Sequence, residues 1–325
     1  MGIIKELEKL GGEVKENEIL APYTTFKIGG PARYFYSAKN EEDFIKAVSV
    51  ANSYNLSYFV LAGGSNILIS DDGFDGVVIK KKNGVLPREF KIEGGIIICD
   101  ALVKLGVLVG ATAEAGLTGL EWAAGIPGTV GGAIRGNAGA YGKQMSDVIV
   151  DVKSVCNFEK GHINRLQKKD LGFDYRTSVY KKSHKKCIIL STKIQLKEGD
   201  KETIRKKIKD VLNRRKTSST PQYPCAGCIF KNPTVQDDKL LEQFKKDKGI
   251  TPVDNKTPAG YLIDSLGLKG KKIGKAEISD KNANFILNIG GATAENVIIL
   301  ISYIKQQVRD NYGIQLKEEV ELIGF

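Results

Sequence analysis

The sequence carries no G-x-G-x-x-G and no G-x-x-x-x-G-K-[ST], so phosphate binding in the usual Rossmann or P-loop form is not expected. It has only two histidines, His162 and His184. Neither sits in a carboxylate pattern, so a histidine triad or a multi-histidine metal site is not expected, and no metal is assigned. No run of about 18 apolar residues occurs, so no membrane span is expected. The opening stretch MGIIKELEKLGGEVKEN lacks the apolar core of a signal peptide. It reads as a short amphipathic helix, and the cytoplasm is the expected location.

Cysteine is sparse, five residues at an odd count. Cys99, Cys156 and Cys187 lie in apolar or strand-like surroundings and are expected to be reduced core residues, as in a reducing compartment. The pair Cys225-Ala226-Gly227-Cys228 is a C-x-x-C. A zinc site would need two further ligands, and no second C-x-x-C or H-x-H pattern supplies them. A thioredoxin-like motif would need its own strand–helix context.

The chain has 325 residues, 42% of them apolar and 27% charged. That is enough for buried cores and suggests two or three domains. The net charge of +11 fits solvated surface lysines, a preference for anionic small ligands, or nucleic-acid binding. The basic residues are spread out, with local clusters such as Lys185-Lys186 and Arg205-Lys206-Lys207-Ile208-Lys209. Aromatic and basic residues do not interleave, so no nucleic-acid partner is expected.

Local patterns alternate helix and strand. Asn40 before Glu41, Glu42 and Asp43 predicts a capped helix with an acidic first turn. Phe44, Ala47, Val48 and Ala51 give its apolar face. Strands are predicted at Tyr58–Ala62, Val77–Ile79, Val148–Val155 and Cys187–Leu196, and around a Gly94-Gly95 turn within Phe90–Cys99. Helices are predicted at Ala101–Ala115 and Lys201–Lys216. The stretch from Thr217 to Pro224 reads as a linker or entry loop. Beyond it, helices are predicted near Lys239–Lys246, Pro258–Leu266 and Ala294–Asp310.

Three glycine elements stand out. Gly63-Gly64-Ser65-Asn66 follows a strand; it suits an anion-binding nest or an ordinary tight turn. Gly29-Gly30-Pro31-Ala32 follows Thr25-Phe26-Lys27-Ile28. The third, Gly116 to Gly142, has nine glycines in 27 residues. Small residues there would let a flat ligand lie against the backbone, though a structural loop has the same composition. Arg176 in Phe173-Asp174-Tyr175-Arg176-Thr177-Ser178 and Glu319 in Leu316-Lys317-Glu318-Glu319-Val320 would each, in isolation, read as a surface charge.

Taken together and in this order, these segments resemble the UDP-N-acetylenolpyruvoylglucosamine reductase family. The matching stretches are Thr25–Ala32, Ala62–Leu68, Gly119–Gly142, Tyr175–Ser178, Ala226–Pro233, Ala259–Asp264 and the tail from Leu316 to Gly324. The resemblance implies an α+β chain. Residues 1–82 and 83–216 would form a two-subdomain FAD-binding fold of the vanillyl-alcohol-oxidase/PCMH-like type. Residues 217–325 would form a C-terminal α+β UDP-sugar-binding domain. The short interval from Tyr175 to Lys201 implies the shorter, type II branch.

The resemblance also implies roles. FAD would contact Ile28, Gly29, Gly30, Gly63, Gly64, Ser65, Asn66 and Ile67. It would also contact Ile126, Pro127, Gly128, Thr129, Gly131, Gly132, Asn137 and Gly139. NADPH would be the reductant and UDP-N-acetylglucosamine enolpyruvate the substrate, bound by Tyr175, Lys231, Asn232 and Tyr261. Hydride would go to C3 of the enol ether and a proton to C2. Arg176, Cys228 and Glu319 would be catalytic, with Glu319 protonated at a raised pKa and Cys228 as the acid where the family often has serine. In Lys281-Asn282-Ala283-Asn284-Phe285, Asn282 stands where many members carry histidine before Ala-Asn-Phe. The protein is expected to act as a monomer. The rival readings are a sugar or alcohol oxidase on the same FAD-binding architecture, a non-catalytic nucleotide-binding protein, and a basic nucleic-acid-binding protein.

Overall fold

The asparagine-capped helix forms as its pattern dictates, over Glu41–Ser53, with the Asp43 N–H donating to Asn40 Oδ1 at 2.8 Å. Its face of Phe44, Ala47, Val48 and Ala51 is buried. The face packs with Ile3 and Leu7 of the helix Gly2–Lys9 and with Tyr36, Ala38, Val77 and Ile79. The last four belong to a four-stranded sheet in the order Glu13–Ile19, Pro31–Ala38, Phe74–Lys81, Ser57–Val60.

The computed structural model describes residues 2–81, 90–157, 162–184, 186–218 and 222–325. The expected boundary at 82/83, Lys185 of one basic cluster, and residues 219–221 of the expected linker lie outside the described residues.

The described residues form two compact units. The first comprises Met1–Glu18, Ala32–Gly63 and Asp75–Lys216. Besides the sheet above, it holds a five-stranded antiparallel sheet in the order His162–Gln167, Ile149–Asn157, Ile188–Gln195, Ile96–Asp100, Phe90–Glu93. The predicted Gly94-Gly95 turn joins the last two, and both glycines have positive φ. A core of Ile97, Leu108, Trp122, Ile134, Met145, Val152 and Ile194 forms around this sheet and the helix Leu105–Glu114. The helix starts four residues later than the predicted Ala101, because residues 101–105 bond to the glycine-rich stretch: the Val130 and Gly131 N–H groups donate to Val103 and Ala101.

The second unit comprises Ile19–Pro31, Gly64–Phe74 and Thr217–Phe325. It contains a three-stranded antiparallel sheet, Lys272–Ile273, Ala276–Ile278 and Ile286–Asn288. Three helices surround it: Asp238–Lys248, Ala259–Ser265 and Ala294–Tyr312. The strand Ile67–Ile69 pairs in parallel with Glu321–Ile323. Phe26, Ile28 and Leu68 from the two early segments complete a core with Ile229, Phe230, Leu262, Ile286, Leu300 and Ile304.

Two expectations are corrected. The amphipathic helix of the first 17 residues ends at Lys9, and Glu13–Ile19 is a strand. Gly11, at φ +80°, ends the helix, and at Gly12 the backbone passes so close to the Tyr36 ring that a Cβ would lie 2.4 Å from it. The second correction concerns Cys156 and Cys187, which form a disulfide rather than reduced core thiols. Val155 pairs with Ile188 across the sheet, so the next residue of each strand end comes within 4.2 Å Cα to Cα, inside disulfide reach. With these two oxidised, they no longer argue for a reducing compartment. Cys99 is a buried free thiol, as expected.

With Cys99, Cys225 and Cys228 free, denatured protein kept without reductant should titrate three thiols, rising by two after reduction. Five thiols before reduction would show that the cross-strand pair does not form.

Candidate active site

In the first unit, the glycine-rich stretch packs backbone against backbone. A Cβ on Gly63 would fall 2.8 Å from the Gly128 Cα, so only glycine allows this approach. Gly63 and Pro127 are exposed, and Ile126 and Gly128 half-buried. Thr129 caps the short helix Val130–Arg135, its Oγ1 accepting from the Gly132 N–H at 3.2 Å. Lys104 bridges to Thr129 across the same contact. Gly131 is buried against Ala101, while Gly132 is exposed.

Asn137, expected to meet the cofactor, is fully buried. Its Nδ2 donates to Gln144 Oε1 at 3.0 Å and to the Asp174 carbonyl at 3.1 Å, and its Oδ1 accepts from the Ser146 N–H at 3.0 Å. The side chain therefore ties the glycine stretch to the turn that carries Tyr175 and Arg176. That turn is closed by paired Asp174 and Thr177 backbone bonds. Arg176 sits at φ +54° and donates Nη2 to the Gly139 carbonyl at 2.7 Å. Its guanidinium lies 5.1 Å from the Tyr175 ring centre. Two segments expected to serve one site, Asn137–Gly139 and Tyr175–Arg176, are thus physically joined.

In the second unit, the Ile28-Gly29-Gly30 turn bonds to two neighbours. The Leu20 and Ala21 N–H groups donate to Gly30 and Gly29, and the Gly30 N–H donates to Ser70. Ile28 is buried. Gly64, at φ +59°, accepts from the Thr25 N–H, and Ser65, Asn66 and Ile67 are half-buried. Asn66 Nδ2 donates to the Glu319 carbonyl at 3.1 Å. The Glu319 N–H donates to the Ile229 carbonyl at 2.7 Å, the residue after Cys228. Glu319, Asn66 and Cys228 are therefore drawn to neighbouring backbone segments. Both Cys228 and Glu319 are half-buried.

The segment after Cys228 is pinned on two sides. The Lys231 N–H bonds to Lys317, and the Ile229 N–H to Asn284. The Asn284 side chain accepts from the Phe230 N–H at 2.9 Å and donates to its carbonyl at 2.8 Å. Asn232 Oδ1 accepts the Ala259 N–H at 3.1 Å, at the start of the helix Ala259–Ser265. Tyr261, expected on the substrate side, is a buried member of the core. It donates its hydroxyl to Asp247 at 2.8 Å and packs edge-on against Phe244, with ring centres 4.9 Å apart. Burial, with the Asp247 bond and charge, pushes its phenol up to about 12.

Asn284 has no counterpart among the expected site residues. Its one sequence signal was the unusual run Lys281-Asn282-Ala283-Asn284-Phe285, and an asparagine in a loop does not reveal which distant peptide it serves.

A glycine-lined backbone with no side chain between Gly63 and Gly128 suits a flat ligand, the kind of surface that an FAD-binding oxidoreductase presents. Residues 32–167 match the family described as FAD binding domain, and residues 220–323 match UDP-N-acetylenolpyruvoylglucosamine reductase, C-terminal domain. The UDP-N-acetylenolpyruvoylglucosamine reductase of Anoxybacillus flavithermus is 40% identical, over 96% of this chain and 95% of its own length. That of Bacillus subtilis is 38% identical, over 99% and 98%. The crystal structure of the Thermus caldophilus enzyme superposes with a TM-score of 0.74 at 32% identity, covering 96% of this chain and 99% of that one. The chain belongs to the UDP-N-acetylenolpyruvoylglucosamine reductase family.

Replacing Asn284 by Ala would leave the buried N–H and carbonyl of Phe230 without their partner. Asn284→Ala should lower unfolding free energy by about 2–4 kcal/mol, measured by urea titration. Unchanged stability would mean that the clamp is dispensable.

Proposed function

We propose that this protein reduces UDP-N-acetylglucosamine enolpyruvate to UDP-N-acetylmuramate for peptidoglycan precursor synthesis, using FAD and NADPH, as a monomer in the cytoplasm. Residues 1–82 and 83–216 would be its FAD-binding subdomains and 217–325 its UDP-sugar domain. The carrying observation is the near full-length identity to reductases of this name. It is supported by the bond that brings Glu319 alongside the Cys228–Ile229 segment.

The residues present fit FAD. Gly63 and Gly128 leave no side chain between their backbones, and neither Gly63–Ile67 nor Ile126–Gly132 contains an acid. When bound, FAD supplies the hydride chemistry, accepting from NADPH and delivering to C3 of the enol ether. Arg176 presents a planar fork suited to the enolpyruvyl carboxylate, and its anchor on Gly139 limits the rotamers it samples. As hydride reaches C3, negative charge builds at C2 and spreads into that carboxylate. Glu319, acting with its proton on, donates a hydrogen bond to this charge. Cys228 then gives its proton to C2, a step favoured over serine by the lower thiol pKa. Lys231 and Asn232 contact the substrate's anionic groups. Tyr175 lies against Arg176 and keeps its plane; the Tyr261 hydroxyl, bonded to Asp247, serves the substrate side through packing.

The first test is the flavin spectrum. Anaerobic NADPH should bleach the yellow protein, and the enolpyruvyl UDP-sugar should restore it. Recovery with oxygen alone would instead indicate an oxidase. Cys228→Ala should keep FAD and NADPH bleaching but slow sugar-dependent recovery by about 100-fold or more. Normal recovery would remove Cys228 from the acid role.

Arg176→Lys replaces the planar fork by a point charge and should slow the same recovery while sparing the NADPH step. Equal rates in the two proteins would break the carboxylate assignment.

A further inference from the structure

Cys225 is a buried thiol that the reduction does not use, three residues from the thiol that does. Along an extended strand, residues three apart face opposite sides. Here the strand is interrupted. At one end the Asn288 N–H donates to the Pro224 carbonyl at 2.9 Å; at the other the Ile229 N–H donates to the Asn284 carbonyl at 2.8 Å, and Cys228 bridges to Phe285. Pro224 to Ile229 thus lies opposite the shorter run Asn284 to Asn288, and the extra residue is taken up by a bulge with Gly227 at φ +78°. A one-residue bulge returns residues three apart to the same face. Both cysteines accordingly pack against one hydrophobic cluster.

The thiol of Cys225 is aimed into this bulge, since its Sγ accepts from the Gly227 N–H at 3.4 Å. The Thr25 hydroxyl holds the Cys225 carbonyl at 2.7 Å, fixing that end. Cys225 is buried and Cys228 half-buried, so a small oxidant meets Cys228 first. Burial also pushes the Cys225 thiol up, outweighing the Gly227 bond, and keeps it protonated at rest.

The geometry points to Cys225 as a resolving thiol for Cys228, forming a reversible disulfide when hydroperoxide oxidises the proton donor. This rests on the reading of Cys228 as the acid beside FAD. Hydrogen peroxide is the by-product when a reduced flavin meets oxygen. The Cys228 thiolate attacks one peroxide oxygen, the O–O bond breaks, and hydroxide leaves and takes a proton to give water. The resulting Cys228 sulfenic acid is attacked at sulfur by Cys225; the S–O bond breaks, the S–S bond forms, and a second water leaves. Two thiols and one peroxide become one disulfide and two waters. An external dithiol reverses it by exchange. The disulfide removes the proton needed at C2, so the sugar-dependent step stops while the NADPH step continues. The bond also shields Cys228 from irreversible sulfinic and sulfonic acids.

The test treats FAD-loaded wild type and Cys225→Ala with hydrogen peroxide, followed by alkylation of free thiols and peptide mass mapping. In wild type, the peptide holding Cys225 and Cys228 should become two hydrogens lighter and resist alkylation, while Cys99 stays reactive after denaturation. Sugar-dependent recovery should be lost and then restored by dithiothreitol. Untreated Cys225→Ala should turn over normally, but peroxide should add oxygens to Cys228 and abolish recovery beyond rescue. The proposal is overturned if wild-type Cys228 gains oxygens as fast as in Cys225→Ala, or if the peptide stays reduced. Failure of the acid reading would show separately, as normal recovery by unoxidised Cys228→Ala, with the mass map still deciding the thiol pair.

Discussion

The second unit depends on how the peptide of Ile229 and Phe230 is held. Ile229 donates to Asn284 and accepts from Glu319 on the opposite side, and Phe230 is bonded through both its N–H and its carbonyl by the Asn284 side chain. Both residues are almost fully buried. Buried peptide groups cost about 1–3 kcal/mol each when unpaired, so these bonds leave little freedom in the positions of Cys228 and Glu319. The same constraint explains the role of Asn66. By bonding the Glu319 carbonyl, it fixes the tail strand against Ile67–Ile69, whose pairing with Glu321–Ile323 closes the unit.

What was legible in the sequence was local. Caps, apolar stripes and glycine turns are written within a few residues of the structure they make. The Asn40 cap, the helix Glu41–Ser53 and the Gly94-Gly95 hairpin follow directly from them. What was not legible depends on register between distant segments. Ile19–Pro31 and Gly64–Phe74 pack with the C-terminal section, yet nothing within them signals a partner two hundred residues on. The Cys156–Cys187 disulfide depends on the pairing of Val155 with Ile188, which no periodicity encodes. The family resemblance, by contrast, names segments that the structure joins within each unit, Asn137–Gly139 with Tyr175–Arg176 and Asn66 with Glu319, because the motif order carries long-range information that local chemistry lacks.

Two motif residues owe their type to hydrogen bonds within the protein. Asn137 and Tyr261 both lie in signature stretches, but the polar atoms of one are bonded to Gln144, Asp174 and Ser146, and the hydroxyl of the other to Asp247. A buried amide or phenol without such partners would be strongly unfavourable. These bonds account for the residue types.

A conformational cost is concentrated in one region. Asn137, Tyr141 and Arg176 all adopt positive φ, at 42°, 54° and 54°. Left-handed backbone costs a residue with a Cβ about 1 kcal/mol or more. It persists where the surroundings over-determine it. Here three hydrogen bonds fix Asn137, one of them to Asp174 at the foot of the Arg176 turn, and Arg176 returns a bond to Gly139. Asn137 and Arg176 therefore hold one another in place. Relaxing Arg176 to an ordinary conformation would redirect its guanidinium away from Gly139, and the bond that makes the strain tolerable would be lost with it. The orientation of the arginine is thus set by the glycine stretch as much as by its own turn, and the two motifs act as one structural element despite their separation in sequence.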